Sequence, residues 1–398
     1  MRSTPLSSPF SSLLKLVGAG LLAGTAITAH ADYQRQGIDS PERSLPVFYE
    51  ALRDRMQFRL GWHDEMKDPV AWKRAGLAKA RELMLPDGVP DKPFDARVVD
   101  EIDRGSYVAR KVEFNISAES RALALVLVPK GSGPFPAALF LHDHGSKFDI
   151  GKEKFVQTWG DDARLQSSKE WAEKFFSGRF PGDELARRGY VVMSFDALGW
   201  GDRAVEGFRT DSQQALAANL FNLGTSFAGI IAQEDVRASQ FLAAQDKVDR
   251  RRVAAIGFSM GAFRAWQLAA LSDSVTAAVV DCWMATMQGL MVPGNNQLKG
   301  QSAFSMLHPG VGRYLDYPDV AALAAPKPML FYAGEQDGLF PVASVKTAFG
   351  KMHQVWQANG AAGKLETRFW PLGHVFVKEQ QDAAFDWLDR QFGTAAAR

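Results

Sequence analysis

The sequence has little cysteine and no charge excess of either sign. Cys282 is the one cysteine among 398 residues, so no disulfide can form within the chain. The formal net charge is +1. Loss of residues 1–31 would lower it to −1, because that stretch contains Arg2 and Lys15 and no acidic residue. A near-neutral chain argues against electrostatic capture of nucleic acid or of anionic membranes.

A long hydrophobic run is also missing. The most apolar N-terminal stretch, residues 16–29, is short and broken by glycine and threonine, which is too weak for a membrane span. Positive residues precede it, and Ala29-His30-Ala31 follows it, which is typical of a secretory signal peptide cleaved near Ala31. An uncleaved anchor is the alternative. We therefore expect a periplasmic or secreted bacterial protein that is free of the membrane after cleavage and large enough to need no disulfides.

The remaining chain reads as a helical segment followed by one catalytic domain. Residues 32–92 form the predicted N-terminal helical extension, with apolar residues at helical spacing that is interrupted near Pro69. This pattern predicts two or three helices. Residues 93–398 form the predicted catalytic domain, and the sequence does not indicate an oligomeric state.

Strand and helix patterns alternate along the catalytic domain. Residues 96–129 read as three opening strands, and later strands alternate with helices, including one long amphipathic helix over residues 220–245. This order predicts an α/β fold with a mostly parallel central sheet and helices on both faces. Ligands of such sheets bind at the carboxyl ends of the strands.

The pattern G-x-S-x-G occurs at Gly257–Gly261, between the strand VAAI and a helix. A sharp strand-to-helix turn of this kind exposes the serine hydroxyl, and its glycines avoid clashes across the turn. Ser259 is therefore the predicted nucleophile. A glycine-flanked turn serine without catalytic function is the alternative.

A serine nucleophile needs a base and an acid that orients the base. After the elbow, the order expected for this arrangement is acid and then histidine. Asp337 follows one predicted strand and His374 follows the next, so these two are the predicted acid and base. Glu335 and Asp281, which also lie near strand ends, stay open as alternative acids.

The stretch LFLHDHGSKF, residues 139–148, raises the question of a metal site, because His142 and His144 are spaced to share one strand face. A metal site on this pattern would require further histidines on later strands, and the six histidines of the mature chain do not supply them. We predict no metal and no organic cofactor.

Two further stretches are predicted to be structural. Residues 195–203, FDALGWGDR, favour an ion-paired turn beside the site, and residues 151–155, GKEKF, favour a solvated helix start. Trp200 and Trp283 follow predicted strands, where an aromatic ring can stack on a sugar or line an acyl pocket. With His144 they form the predicted substrate pocket.

Several signatures taken together resemble the α/β-hydrolase superfamily over about residues 95–392. They are LHDHGSKFDIGKEK, FDALGWGDR, GFSMG, YPDVAALAAPKP, GEQDGLFP and PLGH. The nearest resemblance is to bacterial dienelactone-hydrolase-like and acetyl-xylan-esterase-like proteins. Dienelactone hydrolases use a cysteine nucleophile, whereas this elbow carries Ser259.

The resemblance implies a serine esterase with an oxyanion hole. One donor would be the N–H of Met260, and the second would come from Gly145 or Ser146 in the loop after the third parallel-sheet strand of such hydrolases. Short acyl esters of carbohydrates, or other small-molecule esters, are the substrates that it implies. A peptidase or amidase and a non-catalytic binding protein of the same fold are the alternatives.

Overall fold

The computed structural model describes residues 47–63, 65–292 and 303–394. The predicted signal peptide and its cleavage site lie outside these residues. The strands are β1 (Arg97–Asp103), β2 (Tyr107–Asn115), β3 (Arg121–Pro129), β4 (Phe135–Leu141), β5 (Val191–Phe195), β6 (Val248–Phe258), β7 (Ala277–Asp281), β8 (Met329–Gly334) and β9 (Leu365–Trp370).

The α-helices, numbered in chain order, alternate with these strands. They are α1 (Val47–Asp54), α2 (Pro69–Met84), α3 (Asp162–Phe175), α4 (Pro181–Arg187), α5 (Thr210–Asn222), α6 (Phe227–Ala243), α7 (Met260–Leu271), α8 (Met287–Leu290), α9 (Tyr317–Ala322), α10 (Val342–Ala358) and α11 (Lys378–Phe392).

The strands form one nine-stranded sheet in the order β1-β2-β3-β5-β4-β6-β7-β8-β9. The strands β1, β2, β3 and β5 pair antiparallel in succession, and all pairs from β5 to β9 are parallel. The predicted α/β class with a mostly parallel sheet is confirmed. Because β4, β6, β7, β8 and β9 all run in the same direction, the loops that follow them meet at one edge.

The sheet is covered on both faces because its central strands are apolar on both sides. In β4, Leu139 and Leu141 belong to one buried cluster and Phe140 belongs to the other. Helices α2, α6, α7, α9 and α10 contribute to the first cluster, and α3, α4 and α11 contribute to the second. Alternate residues of an extended strand point to opposite faces, so a strand buried on both sides reads as continuous apolar sequence.

The segment before β1 packs on the first of these clusters. Helix α2 begins at Pro69 after the capping side chain of Asp68, and it buries Trp72 and Met84. The backbone N–H of Trp62 donates to Asp319 Oδ1 at 2.8 Å, in the first turn of α9. This segment is thus held on one face of the sheet by buried apolar side chains and by a hydrogen bond to α9.

The prediction of one long helix over residues 220–245 is wrong, because this stretch is divided between α5 and α6. Gly224 has φ of +82°, which lies outside the helical range, and the side chain of Ser226 accepts from Gly229 N to start α6. The two helices are bent by 87°. Within the described residues no single helix is long and apolar enough to cross a membrane, and the α5–α6 pair reaches that length and composition only across this bend.

Candidate active site

The elbow at Ser259 has the strained backbone that its sequence predicts. Ser259 has φ of +55° and ψ of −124°, between the end of β6 and the start of α7, and its side chain is partly exposed. A Cβ at Gly257 would lie 2.0 Å from the carbonyl oxygen of Gly261, and one at Gly261 would lie 1.7 Å from that of Leu141. Both glycines are therefore required by the close approach of backbone segments.

The predicted base and acid meet beside this elbow. The Nδ1 atom of His374, in the loop after β9, lies 2.7 Å from Oδ2 of Asp337, in the loop after β8. The His374 ring lies 4.8 Å from the ring of Phe258, the residue before the serine. The described residues show no hydrogen bond between Ser259 Oγ and His374. Such contacts in hydrolases are often long until a substrate is bound.

The alternative acids are placed differently. Glu335 is exposed and has no contact with His374 among the described hydrogen bonds. Asp281 is fully buried at the end of β7, where its carbonyl oxygen accepts from Ser259 N at 2.9 Å. Burial, with the charge of Asp337 nearby, raises the pKa of Asp281 well above its ordinary value. Asp281 thus contacts the elbow through its backbone carbonyl oxygen, and Asp337 is the acid whose side chain contacts His374.

The two histidines of residues 139–148 brace their loop. His142 Nε2 accepts from Ala197 N at 2.9 Å, which ties this loop to the turn after β5. His144 Nδ1 accepts from Ser146 N at 3.0 Å, and its Nε2 donates to Gln213 Oε1 at 2.7 Å. Burial lowers the pKa of His144 to about 4 and that of His142 well below its ordinary value. Both rings are therefore neutral at pH 7 and act as hydrogen-bonding struts.

These bonds narrow the choice of oxyanion donors. The N–H of Ser146 is already donated to His144, so it is not free to bind an oxyanion. Gly145 has φ of +58°, and a Cβ there would lie 2.1 Å from the ring of Trp171, so only glycine fits. The N–H of Met260 lies in the first turn of α7, where N–H groups have no partner within the helix. Gly145 and Met260 stay the predicted donors.

The charged run after this loop forms a 3₁₀ helix, Lys152–Lys154, but its residues are buried, so the prediction that it is solvated is wrong. Lys152 Nζ lies 2.5 Å from Asp196, 2.6 Å from Asp202 and 3.0 Å from Glu153. Burial alone would lower the pKa of Lys152, but these carboxylates outweigh it and raise the pKa. Lys154 Nζ binds the carbonyl oxygen of Asp143 at 3.0 Å. The network fastens the loop of residues 142–154 to the turn of residues 196–203.

Among the described residues, two clusters have ligand atoms close enough to hold a metal ion. One is Glu153, Asp196 and Asp202, and the second is Cys282, Asp337 and His374, each with its atoms within 4.8 Å of one another. In the first cluster the ammonium group of Lys152 already supplies the cation. In the second, His374 Nδ1 and Asp337 Oδ2 are hydrogen-bonded to one another.

The predicted aromatic pocket residues lie in the core. Trp200 is 0% exposed and Trp283 is 2% exposed, so neither offers an open ring face to a sugar. The indole of Trp200 donates to the carbonyl oxygen of His144 at 3.1 Å, and that of Trp283 contacts Met306 Sδ at 3.0 Å. His144 is also buried. These three side chains support the loops around the site instead of lining an open surface.

Two residues that support the site were missed by the sequence analysis. Gln213 of α5 holds His144, and Arg264 of α7 reaches the carbonyl oxygen of His142 at 3.4 Å while its guanidinium pairs with Asp235. Gln213 lies 69 residues from its partner and carries no motif. Arg264 could have been found from the sequence, because an arginine within an otherwise apolar helix requires a buried acidic partner.

The profile of the Abhydrolase family matches residues 46–354 of the chain. YtaP of Bacillus subtilis (strain 168), a proposed hydrolase, is 26% identical over 73% of this chain and 90% of its own length. A proposed acetyl xylan esterase of Bacteroides fragilis NCTC 9343 superposes with a TM-score of 0.67 at 17% identity, over 82% of each chain. A glucuronoyl esterase from Solibacter usitatus gives 0.58 at 16% identity, over 81% of this chain and 93% of the other. At these identities the two structures establish the fold.

Proposed function

The chain belongs to the Abhydrolase family, and on that premise we propose that it cleaves carboxylic esters through a covalent acyl-enzyme. The observation that carries the proposal is the 2.7 Å contact between His374 and Asp337 beside the strained serine of the elbow. Nucleophile, base and orienting acid from three separate loops are the arrangement that serine acyl transfer requires.

In the proposed reaction, Ser259 Oγ attacks the ester carbonyl while His374 Nε2 takes its proton. Asp337, bound to Nδ1, holds the ring and stabilises its charged form. The N–H groups of Met260 and Gly145 bind the oxyanion. His374 then protonates the departing alcohol. In the second half, the same nitrogen takes a proton from the water that attacks the acyl-enzyme and passes it to Ser259 Oγ as the carboxylic acid leaves.

For the substrate, we propose esters of carbohydrates, in either of two classes. Among the solved structures that resemble the chain are a proposed acetyl xylan esterase and a glucuronoyl esterase. In the first class the sugar supplies the alcohol, and in the second it supplies the acid. A panel of acetylated xylo-oligosaccharides and alkyl esters of glucuronic acid separates them, because each places the sugar on a different side of the scissile bond.

The first test is the intact mass of the protein after treatment with a fluorophosphonate. We expect one covalent adduct on the wild type and none on Ser259→Ala, because the serine must be activated to react. Ser305→Ala is the matched control, since Ser305 is a buried serine outside the elbow, and it should label like the wild type.

Labelling of Ser259→Ala, or failure of the folded wild type to label, would refute the assignment. Ester turnover by the panel then separates an esterase from a peptidase or a binding protein. Matched amide analogues should turn over far more slowly than the esters if the proposal is right.

We further propose that the protein is exported and loses residues 1–31. The support is the order of basic residues, apolar run and Ala29-His30-Ala31 in the sequence. Expression of the full chain in a Gram-negative host, followed by N-terminal sequencing, should give Asp32 as the first residue in the periplasmic fraction. An intact Met1 in the membrane fraction would instead show an anchor.

A further inference from the structure

The peptide group between His144 and Gly145 is held at its carbonyl end by two buried side chains. The carbonyl oxygen of His144 accepts from Lys154 Nζ at 3.2 Å and from the indole Nε1 of Trp200 at 3.1 Å. Both side chains are 0% exposed. Among the described hydrogen bonds the N–H of Gly145 has no acceptor, and Gly145 is exposed. One end of this peptide group is therefore fixed in the interior, and the other end is open.

The ammonium group of Lys154 binds three oxygen atoms of this loop. Besides the carbonyl oxygen of His144, Nζ contacts the carbonyl oxygen of Asp143 at 3.0 Å and its Oδ2 at 3.2 Å. Burial lowers the pKa of Lys154, and the charge of Asp143 opposes this effect. Three oxygen acceptors match the three N–H groups of an ammonium, and the ring of Trp171, 4.7 Å from Nζ, also favours a cation. The surroundings of Nζ therefore favour the charged form.

The open N–H of Gly145 belongs to a loop that packs directly on the elbow. The C=O and N–H of a trans peptide group point in opposite directions, so this N–H points away from Lys154 and Trp200. A Cβ at Gly261 would lie 1.7 Å from the carbonyl oxygen of Leu141 and 3.0 Å from that of His142, which places the start of the loop against the first turn of α7. The N–H of Met260 lies in the same turn. The two predicted oxyanion donors thus come from backbone segments in contact.

The peptide group before Gly145 needs a restraint because the glycine itself supplies none. Gly145 has φ of +58°, and glycine adopts either sign of φ readily, so rotation of this peptide plane meets no side-chain barrier. Such a rotation would turn the N–H away from the oxyanion. An oxyanion hole acts through donors that are already oriented before the reaction. A charged donor on the carbonyl oxygen also polarises the peptide group and strengthens its N–H as a donor.

We propose that Lys154 is a positioning residue of the oxyanion hole, acting with Trp200 on the peptide group between His144 and Gly145. The two side chains fix the direction of the Gly145 N–H and increase its polarity, so that it donates to the oxyanion formed at Ser259. Lys154 itself contacts neither the substrate nor the reacting atoms. This role rests on the proposed function, because it belongs to the proposed acyl transfer.

The peptide group can be observed alone by NMR, because His144-Gly145 is the one place in the sequence where glycine follows histidine. Protein that contains histidine ¹³C-labelled at the carbonyl carbon and ¹⁵N-labelled glycine therefore gives one correlated carbonyl–nitrogen signal. Lys154→Met keeps the length of the side chain and removes its charge. We expect both shifts of the signal to move to lower frequency, because the peptide group becomes less polarised.

Lys327→Met is the matched control for this measurement. Lys327 Nζ also donates to two backbone carbonyl oxygens, those of Ala269 and Ser272, each at 2.8 Å. These carbonyl groups lie at the end of α7 remote from the elbow. The control removes a lysine from the same kind of contact and should leave both the signal and the activity as in the wild type.

Kinetics on an ester that the wild type cleaves give the second readout. In Lys154→Met we expect kcat to fall about 10- to 100-fold, below the roughly 10²- to 10³-fold cost of losing an oxyanion donor outright. KM should change less than about threefold, because the oxyanion forms only after the substrate is bound.

A trifluoromethyl ketone analogue of the ester tests the oxyanion itself. Ser259 Oγ adds to its carbonyl carbon, the serine proton passes to His374, and the former carbonyl oxygen becomes the anion. The inhibition constant should rise in Lys154→Met by the factor by which kcat/KM falls. A merely structural lysine would lower the melting temperature without this agreement. If Lys154→Met does not fold, Asp143→Asn/Lys154→Met replaces it, because that pair leaves no buried carboxylate without its cation.

Two results would overturn the proposal. The first is an unchanged carbonyl–nitrogen signal in Lys154→Met, which would show that the lysine does not act on this peptide group. The second is a shifted signal with kcat and ketone inhibition equal to those of the wild type. Failure of the proposed function has a different signature: the wild type would cleave no ester and carry no label at Ser259 while the signal still moved in Lys154→Met, and the oxyanion role would then be refuted as well.

Discussion

Two polar assemblies lie at the same edge of the sheet and are built in opposite ways. In the loop assembly, residues 142–154 with residues 196–203, Lys152 and Asp196 are almost wholly buried and pair with one another. In the candidate catalytic group, Ser259 is partly exposed, and among the described hydrogen bonds His374 has one side-chain partner, Asp337. The first assembly is rich in motif residues, yet its groups are fully occupied. Groups left with spare hydrogen-bonding capacity are the ones able to react.

The difference follows from the free energy of burying charge. A buried charge is tolerated only when partners satisfy it, and a satisfied charge is rigid and unreactive. A general base must instead keep one nitrogen available to the substrate. Conspicuous charged residues in the sequence therefore mark the scaffold of the site, and the reactive groups are fewer and less connected.

The largest effect is expected from Asp337→Asn, which should lower activity and leave stability nearly unchanged. The amide keeps the shape of the side chain but no longer stabilises the charged ring of His374, so kcat should fall roughly 10³- to 10⁴-fold. The melting temperature should stay close to that of the wild type. Glu335→Gln is the matched control and should keep its activity. A large loss in the control with little loss in Asp337→Asn would transfer the acid role to Glu335.

A substitution in the loop assembly should lower the stability of the fold. Lys152→Met removes the cation from between Asp196 and Glu153, and the buried carboxylates lose their partner. We expect the free energy of unfolding in urea to fall by about 3–5 kcal/mol. Lys147→Met, which breaks an exposed pair with Glu170, should change it by no more than about 0.5 kcal/mol. Equal stability of the two variants would show that the network is dispensable.

A pH titration of stability probes the neutral histidines of the loop assembly. The pKa of His144 is about 4 in the folded protein and near 6.5 in the unfolded chain. Between these values the unfolded chain binds the extra proton, so stability is lost as pH falls. From pH 7 to pH 5 the loss should be about 2 kcal/mol from His144. His144→Asn should show a shallower decline, and an unchanged slope would contradict the neutral assignment.

The smallest effect is expected from Asp281→Asn. Because burial raises the pKa of Asp281 well above its ordinary value and favours the neutral form, its amide analogue should change the local charge little, and we expect kcat to fall less than about tenfold. The pH profile of kcat/KM should keep its shape. A loss comparable to that of Asp337→Asn would show instead that Asp281 carries a functional charge.

The fold and the order of the candidate triad could be predicted because they rest on local signals. Short stretches of sequence are enough to recognise strand alternation, the glycines around Ser259 and strand-end residues such as His374. The sequence also contains the signals that separate α5 from α6, since Gly224 is typical of a helix end and Ser226 of a helix N-cap. We missed this boundary because apolar residues keep their helical spacing on both sides of it.

The burial of Lys152 was not legible from the sequence. Its partner Asp196 lies 44 residues away, and a lysine next to a glutamate usually marks a solvated surface. The same reason applies to Trp200, where a strand-end tryptophan gives no information on whether its ring faces solvent or core. The N–H of Ser146 was predicted as an oxyanion donor because sequence cannot show that His144 already accepts it.

The backbone of the elbow also limits what evolution can place there. At φ of +55° a side chain branched at Cβ is disfavoured, so threonine, which differs from serine by one methyl group, is poorly accommodated. Cysteine has the same branching as serine and fits the same turn. Exchange of the nucleophilic element, oxygen for sulfur, is thus a shorter evolutionary step at Ser259 than the addition of one carbon.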